Sequence, residues 1–345
     1  MVTLREVAAK CEVSIATVSA VANGAAWVPS DTRRRVQKVI DQLGYRPNQL
    51  ARGLKLRRGH AVGVIVSDLT NPFFTEIIRS LSHALREYDR TLLLCDSDHR
   101  LEIGDLNLRI LSEGHITGLV LVGDSVRTET LRAYVGRPHS VPVIAIEREY
   151  DIDAVSCLLV DSERGAYAAT RHLIDYGYRR IAIIVGPHEG PGSTTYGRVQ
   201  RYAGYCRALV EAGYGVDPRL VGEGDFRYNG GRDAMQRLLA GPVRPDAVFA
   251  SNDMMALGAM DAVRAAGLRV PEDIALAGWD DIPITALTTP ALTTVAMPKS
   301  QLGRAAADLL AEQIPRGGKH TPVREMFDAQ LVVRQSSGLR KTAPG

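Results

Sequence analysis

VSIATVSAVANG, Val13 to Gly24, is the stretch that decides how the chain folds. Small hydroxyls and methyls crowd onto one short segment, and the segment stops at Asn23-Gly24. Ser14 has the side chain of a helix cap, able to accept from a free backbone N–H of the first turn. Asn-Gly suits a left-handed C-terminus. On the helix between them Val18 and Val21 face inward, while Ile15, Ala16, Thr17 and Ala20 face out. Upstream, Thr3 caps a short helix over Leu4–Lys10, and Cys11-Glu12-Val13 makes a turn. Downstream, Ser30 starts a third helix with Val36, Val39, Ile40 and Leu43 at i, i+3, i+4 and i+7, stopped by Gly44. Helix, short turn, helix and supporting helix is the plan of a helix-turn-helix DNA reader. A helix lying deep in the major groove needs small groups near the bases. Ser14, Thr17 and Ser19 are placed to donate to phosphates or base edges.

Charge supports this plan. The chain of 345 residues has a net charge of only +3, but residues 1–60 hold eleven Lys and Arg against four acids. The head therefore carries +7 and the rest −4. A basic head on a mildly acidic body implies a polyanionic partner for the head. The length calls for more than one domain. No apolar run reaches the length of a membrane span. Arg5, Glu6, Lys10 and Glu12 occupy the place of a signal peptide's apolar core, so a cytoplasmic protein is expected. Cys11, Cys95, Cys157 and Cys206 are scattered, fit no zinc spacing or disulfide framework, and are expected to be reduced thiols.

The segment LREVAAKCEVSIATVSAVANG resembles the helix-turn-helix of the lactose/galactose-repressor family of bacterial transcription regulators. The hallmark is Val13-Ser14, two variable residues, Thr17-Val18-Ser19, and Asn23. The resemblance continues through GYRPNQLARGLK, NPFF (Asn71–Phe74), SNDMMALGAM, RVPEDIALAGWDD, TPALTTV and LVVRQSSG (Leu331–Gly338), so it spans nearly the whole chain. It implies DNA contacts from Thr3, Ser14, Ile15, Ala16, Thr17, Ser19, Ala20, Asn23 and Arg33. The three positions that usually read bases in this family are Ile15, Ala16 and Ala20 here. None of them makes a bidentate hydrogen bond. They suit thymine methyls, with more weight on DNA shape.

A short segment follows the head. Pro47-Asn48 is a good helix start, yet one or two turns are marginal alone in water, and Gly53 lowers helix stability by about 1 kcal/mol against Ala. The resemblance implies that this hinge folds on operator DNA, with Asn48, Ala51, Arg52 and Lys55 at the duplex. Leu54 would then wedge between base pairs in the minor groove.

From Ala61 short β-rich runs alternate with helices: AVGVIV, TLLLC, GLVLV and VPVIAI, then IAIIVG, LVGEGDF, AVFAS and IALAGW. Two rounds of βα units predict an α/β body of two doubly wound parallel sheets, resembling periplasmic sugar-binding proteins. The expected domains are a head (1–46), a hinge (47–60) and a body (61–345). Lobe 1 is expected at about 61–160 and 293–317, lobe 2 at about 161–288 and 324–338. Ligands bind at the carboxyl ends of such strands. Strand-end reading gives Asp68, Phe73, Phe74, Glu147, Asp161, Arg201, Phe226, Asn252, Trp279 and Asp280 as effector residues. The resemblance itself implies effector contact for Phe73, Arg201, Phe226, Asn252 and Asp280. Carboxylates, an Arg, amides and aromatic faces suit a polyhydroxylated ring. Gly186–Gln200, rich in Gly and Pro, reads as a loop over the cleft.

The expected function is a ligand-responsive DNA-binding transcription regulator, a repressor of carbohydrate uptake or catabolism genes. It acts as a homodimer on an inverted repeat of double-stranded operator DNA, with no membrane partner. It needs no cofactor and no metal, only a small-molecule effector, expected to be a carbohydrate. A purine or nucleoside corepressor is the alternative within the fold. A sugar-acting enzyme is the alternative outside it: Glu147, Asp161 and Asp280 supply carboxylates of glycosidase type. No Gly-x-Ser-x-Gly, phosphate loop or metal-spaced His cluster accompanies them, and an enzyme leaves the basic head unexplained. A transport binding protein also leaves the head unexplained.

Overall fold

A computed structural model describes residues 2–22, 25, 27–44, 60–113, 116–138, 140–187, 196–316 and 321–338. The chain divides into two compact units, Met1–Gly59 and His60–Gly345. Asn23, Asn48, Ala51, Arg52, Leu54 and Lys55 lie outside the described residues, as does most of the Gly186–Gln200 segment.

The head is built from α1 (Leu4–Cys11), α2 (Ile15–Ala22) and α3 (Ser30–Leu43). Thr3 and Glu6 form a reciprocal capping box: the Thr3 hydroxyl accepts from the Glu6 N–H at 3.3 Å, and the Thr3 N–H donates to Glu6 Oε2 at 2.7 Å. Ser14 Oγ accepts from the Thr17 N–H at 3.1 Å and so starts α2. Gly44, at φ +61, ends α3. Val7, Ala8, Cys11, Val18, Val21, Val28, Val36 and Ile40 make a core shared by all three helices.

Lobe 1 of the body runs β1 (Ala61–Val66), α4 (Pro72–Glu87), β2 (Thr91–Asp96), α5 (Leu101–Glu113), β3 (Gly118–Val122), α6 (Thr128–Val135), β4 (Val143–Ile146) and β5 (Val155–Val160). Lobe 2 runs α7 (Ser162–Asp175), β6 (Ile181–Val185), α8 (Tyr196–Glu211), β7 (Val221–Glu223), α9 (Tyr228–Ala240), β8 (Ala247–Ala250), α10 (Asp253–Ala265), β9 (Ala275–Asp280) and β10 (Thr293–Ala296). Then α11 (Lys299–Arg316), β11 (Arg324–Phe327) and β12 (Gln330–Val332) close the chain's described structure. The two sheets have the orders β11-β5-β4-β3-β1-β2 and β12-β10-β9-β8-β6-β7. All pairings are parallel except β10 with β12. The central strands are buried on both faces, which is why their sequences are unbroken apolar runs.

The late crossovers differ from the sequence reading. Residues from 293 were expected in lobe 1, but β10 pairs with β9 and belongs to lobe 2. Residues from 324 were expected in lobe 2, but β11 pairs with β5 in lobe 1. Helix α11 packs on α4 of lobe 1, and Gly303 lets the backbones approach: a Cβ there would fall 2.6 Å from the Ile77 carbonyl oxygen. The lobe boundaries therefore fall between β5 and α7, between β10 and α11, and between β11 and β12. Short strands such as Thr293–Ala296 carry no signal of which sheet they join. No helix among the described residues is long and apolar enough to cross a membrane.

Candidate functional site

In a doubly wound sheet the strand order reverses at one point, and the loops diverge there to leave a crevice at the carboxyl ends. The reversal lies between β1 and β3 in lobe 1 and between β6 and β8 in lobe 2. Residues from the carboxyl ends of strands in both lobes, with Gly197 and Arg201 of α8, meet around a cavity of about 80 Å³. Lobe 1 supplies Ser67, Asn71, Phe73, Phe74, His99, Gly123, Asp124 and Glu147; lobe 2 supplies Gly197, Arg201, Phe226, Asn252 and Asp280.

Local structure aims these side chains. Asn71 caps α4 by accepting from the Phe73 N–H at 3.0 Å, so that Phe73 and Phe74 start the helix edge-to-face at 5.0 Å. Asn252 caps α10 by accepting from the Met255 N–H at 2.9 Å, while its Nδ2 donates to the Phe226 carbonyl at 2.8 Å. Phe226 stacks on His99 at 6.1 Å. It sits against Gly186, where a Cβ would fall 2.0 Å from the ring. His99, Glu147, Phe226 and Asp280 have φ of 55, 57, 65 and 117. Non-glycine residues held in that region cost about 1–3 kcal/mol each and gather at functional sites.

The chemistry is that of buried, incompletely paired charge. Arg201 Nη1 donates to the Ser251 carbonyl at 2.6 Å, and its guanidinium lies 4.8 Å over the Trp279 ring. Arg201 Nη2 is 3.8 Å from Glu147 Oε2, an ion pair too long for a hydrogen bond. Among the described residues, Glu147 Oε2 and Arg201 Nε are buried without a hydrogen-bond partner. Burial pushes the Glu147 carboxyl up to about 7, against the pull of Arg201 and the Val160 N–H. Burial and the neighbouring Asp253 push Asp280 well above the usual carboxylate range, against Arg201 and Lys299. Burial lowers Arg201. Asp124 rises to about 6 by burial, although Arg148 Nη1 is 2.7 Å from its Oδ1. That pair is close in distance but misaligned, since neither atom completes a hydrogen bond.

Of the residues expected from sequence, Phe73, Phe74, Glu147, Arg201, Phe226, Asn252 and Asp280 come together on the cavity wall. Asp68, Asp161 and Trp279 do not. Asp161 caps α7, accepting from the Arg164 N–H at 3.0 Å. Trp279 is fully buried between the sheet and its helices, with Nε1 donating to Met297 Sδ at 2.9 Å. Asp68 stands behind the wall: it accepts from the Thr70 hydroxyl at 2.6 Å and lies 3.5 Å from His99. Burial pushes Asp68 up, but the bonds from His99 and Thr70 outweigh it and hold the carboxyl well below its usual range. Sequence reading missed Ser67, His99, Gly123, Asp124 and Gly197. Ser67 and Asp124 directly follow or nearly follow apolar strands, so extending the strand-end rule by a residue or two finds them.

In the head, Ser14, Ile15 and Ala16 are exposed at the start of α2; Ile15 is 42% exposed, unusual for a large aliphatic. Thr17, Ser19 and Ala20 are half-buried, and Ala20 packs on the head core. The Thr3 side chain is engaged in its capping box. Arg33 was expected at DNA, but its Nη2 donates to the Ala25 carbonyl at 2.6 Å and ties down the loop between α2 and α3. Arg34, Arg35 and Lys38 on α3 are exposed.

A helix-turn-helix head followed by a two-lobed, polar-lined binding body defines a DNA-binding regulator under small-molecule control. Residues 3–48 match the family described as bacterial regulatory proteins, lacI family, and residues 59–326 match the periplasmic binding proteins and sugar binding domain of LacI family. The chain belongs to the lacI family of bacterial regulatory proteins. It is 37% identical over 315 residues to the ribose operon repressor of Escherichia coli, covering 91% of this chain and 93% of that one. The Lac repressor dimer bound to operator and the anti-inducer ONPF has a TM-score of 0.79 at 25% identity, covering 98% of this chain and 99% of that one. A LacI-family transcriptional regulator from Enterococcus faecium with bound ribose has a TM-score of 0.72 at 26% identity, covering 81% of this chain and 100% of that one.

Proposed function

We propose that the chain is a repressor whose operator binding is set by one unphosphorylated monosaccharide held between the lobes. The observation that carries this is the long ion pair of Glu147 with Arg201, whose buried Oε2 and Nε have no hydrogen-bond partner among the described residues. Sugar hydroxyls both donate and accept, so a ring satisfies both atoms at once. Phe73, Phe74 and Phe226 offer apolar faces to the ring's C–H groups. Burial raises Asp124, Glu147 and Asp280, so these carboxyls can donate as well as accept, which suits neutral hydroxyls. The ribose-bound relative is consistent with a pentose.

On the DNA side, α2 enters the major groove with Ile15, Ala16 and Ala20 against thymine methyls and Ser14, Thr17 and Ser19 at polar groups. Leu54 acts as the minor-groove wedge. The homodimer reads an inverted repeat, as two-fold protein symmetry requires. Leu93 and Leu94 on the edge strand β2, and Leu106 and Ile110 on α5, are 38–54% exposed in the single chain and form an apolar surface suited to the partner protomer.

Thermal-shift titration against aldopentoses, aldohexoses, disaccharides, nucleosides and sugar phosphates tests the effector class. A monosaccharide is expected to raise the melting temperature most. A sugar phosphate or nucleoside doing so, with monosaccharides inert, contradicts the proposal.

A further inference from the structure

Helix α11 starts just after the chain leaves β10 for the other lobe, and its first residue is Lys299. Its side chain is only 8% exposed. Nζ donates to the carbonyl oxygens of Asp280 at 2.5 Å and Asp281 at 2.7 Å, at the end of β9 in lobe 2. Nζ also lies 3.4 Å from Glu76 Oε2 on α4 in lobe 1, one turn after Phe73. A buried ammonium is kept only where partners surround it, and here the partners come from both lobes.

The bonds to lobe 2 fall on a special piece of backbone. Asp280 and Asp281 have φ of 117 and 52, a region that L side chains rarely adopt. This turn brings the Asp280 side chain to the cavity wall. Two groups hold it. Asp253 Oδ2 accepts from the Ile282 N–H at 2.9 Å, entirely within lobe 2. Lys299 holds the Asp280 and Asp281 carbonyls from a helix that packs on α4.

We propose that Lys299 is the positioning residue that joins the effector cavity to the arrangement of the lobes. It fixes the Asp280–Asp281 turn from the lobe 1 side, through Glu76 and α4. A ligand that settles on Asp280 therefore acts on the placement of α4 and α11 relative to β9. A ligand shifts such an equilibrium only through different affinities for the two arrangements, and the Lys299 bonds supply a contact that differs between them. The inference rests on the cavity's being the effector site.

The chain has two tryptophans, so Trp27→Phe leaves Trp279, buried and adjacent to Asp280, as the single fluorophore. In that background Lys299→Met keeps the side chain's length and removes the ammonium. Trp279 emission is expected to change without any ligand. Affinity for the sugar that stabilises the protein most is expected to fall about tenfold or more, and the sugar's effect on operator affinity to disappear. Lys299→Arg, which keeps a cation, is expected to recover part of both signals; a merely structural lysine would show no such recovery. Unchanged Trp279 emission in Lys299→Met overturns the proposal, as does wild-type sugar affinity and coupling. The emission measurement needs no sugar, so failure of every monosaccharide to bind counts against the effector class alone and leaves Lys299 still decided. Should Lys299→Met not fold, Glu76→Gln, at a partly exposed position, decides instead: altered emission and weaker coupling support the proposal, and wild-type values of both overturn it.

Discussion

Arg201 on α8 and Glu147 at the end of β4 face each other across the cavity, one from each lobe, with Nη2 3.8 Å from Oε2. Neither group completes a hydrogen bond to the other, and each keeps a buried atom without a hydrogen-bond partner among the described residues. Hydrogen bonds to charged groups contribute roughly 1.5–3 kcal/mol each. Arg201→Met is therefore expected to weaken effector binding tenfold or more, measured by calorimetry, while operator affinity without effector holds. Wild-type effector affinity in Arg201→Met would assign the residue a purely structural role.

Glu147 also sets a pH dependence. Burial raises it from 4.5 to about 7. Between those values the folded body holds a proton that the unfolded chain has released, so stability falls as pH rises through this window. Asp124, raised to about 6, and Asp253, raised to about 7, act with the same sign. Glu147→Gln is expected to make the fall shallower, by up to about 1.4 kcal/mol per pH unit. Urea unfolding at a series of pH values between 4.5 and 7 reads this out. Parallel profiles for the variant and the wild type would mean that Glu147 titrates normally.

The apolar surface on β2 and α5 makes a separate prediction. Leu94 is 40% exposed and Ile110 is 54% exposed in the single chain. Leu94→Asp with Ile110→Asp is expected to give particles of 37.5 kDa by light scattering, the mass of one chain, where the wild type gives twice that. Binding to an inverted repeat should weaken with it. A dimer persisting in the double variant would move the interface elsewhere.

Ile15, Ala16 and Ala20 lack hydrogen-bonding groups, so their share of base readout is apolar. Replacing thymine by uracil in the half-site removes one methyl at a time, and a buried methyl contributes about 0.8 kcal/mol. Each such change at a contacted base is expected to lower affinity about three- to fourfold. Ile15→Ala should erase the effect at one position. Equal affinity for fully uracil-substituted and thymine operators would exclude methyl contacts.

The head was legible because its signals are local: Thr3, Ser14 and Gly44 cap or stop helices through bonds within a few residues of themselves. The βα alternation was legible because strands buried on both faces must be apolar throughout. That same burial hid which strand-end side chain turns toward the crevice. Trp279 and Asp280 are neighbours on β9, yet one is core and the other lines the cavity, because successive strand residues point to opposite faces. His99 reaches the cavity through the left-handed pair Asp98–His99, which nothing in the sequence marks. Asp161 and Arg33 have side chains suited to both ligand contact and capping or loop support. At Asp161 the Arg164 N–H took the carboxylate, and at Arg33 the Ala25 carbonyl engages Nη2. Strands β10 and β11 were assigned to the wrong lobes because strands of four residues carry too little pattern to name their sheet.

Operator affinity measured with and without a monosaccharide tests the account most directly. The operator is obtained by selection from random duplexes, and the sugar is the one that stabilises the protein most. Fluorescence anisotropy at fixed salt should show the sugar changing operator affinity at least about fivefold, the scale of an allosteric coupling of about 1–3 kcal/mol. The change should vanish in Arg201→Met. DNA binding that no monosaccharide alters, in a protein that binds the selected operator tightly, would contradict the account.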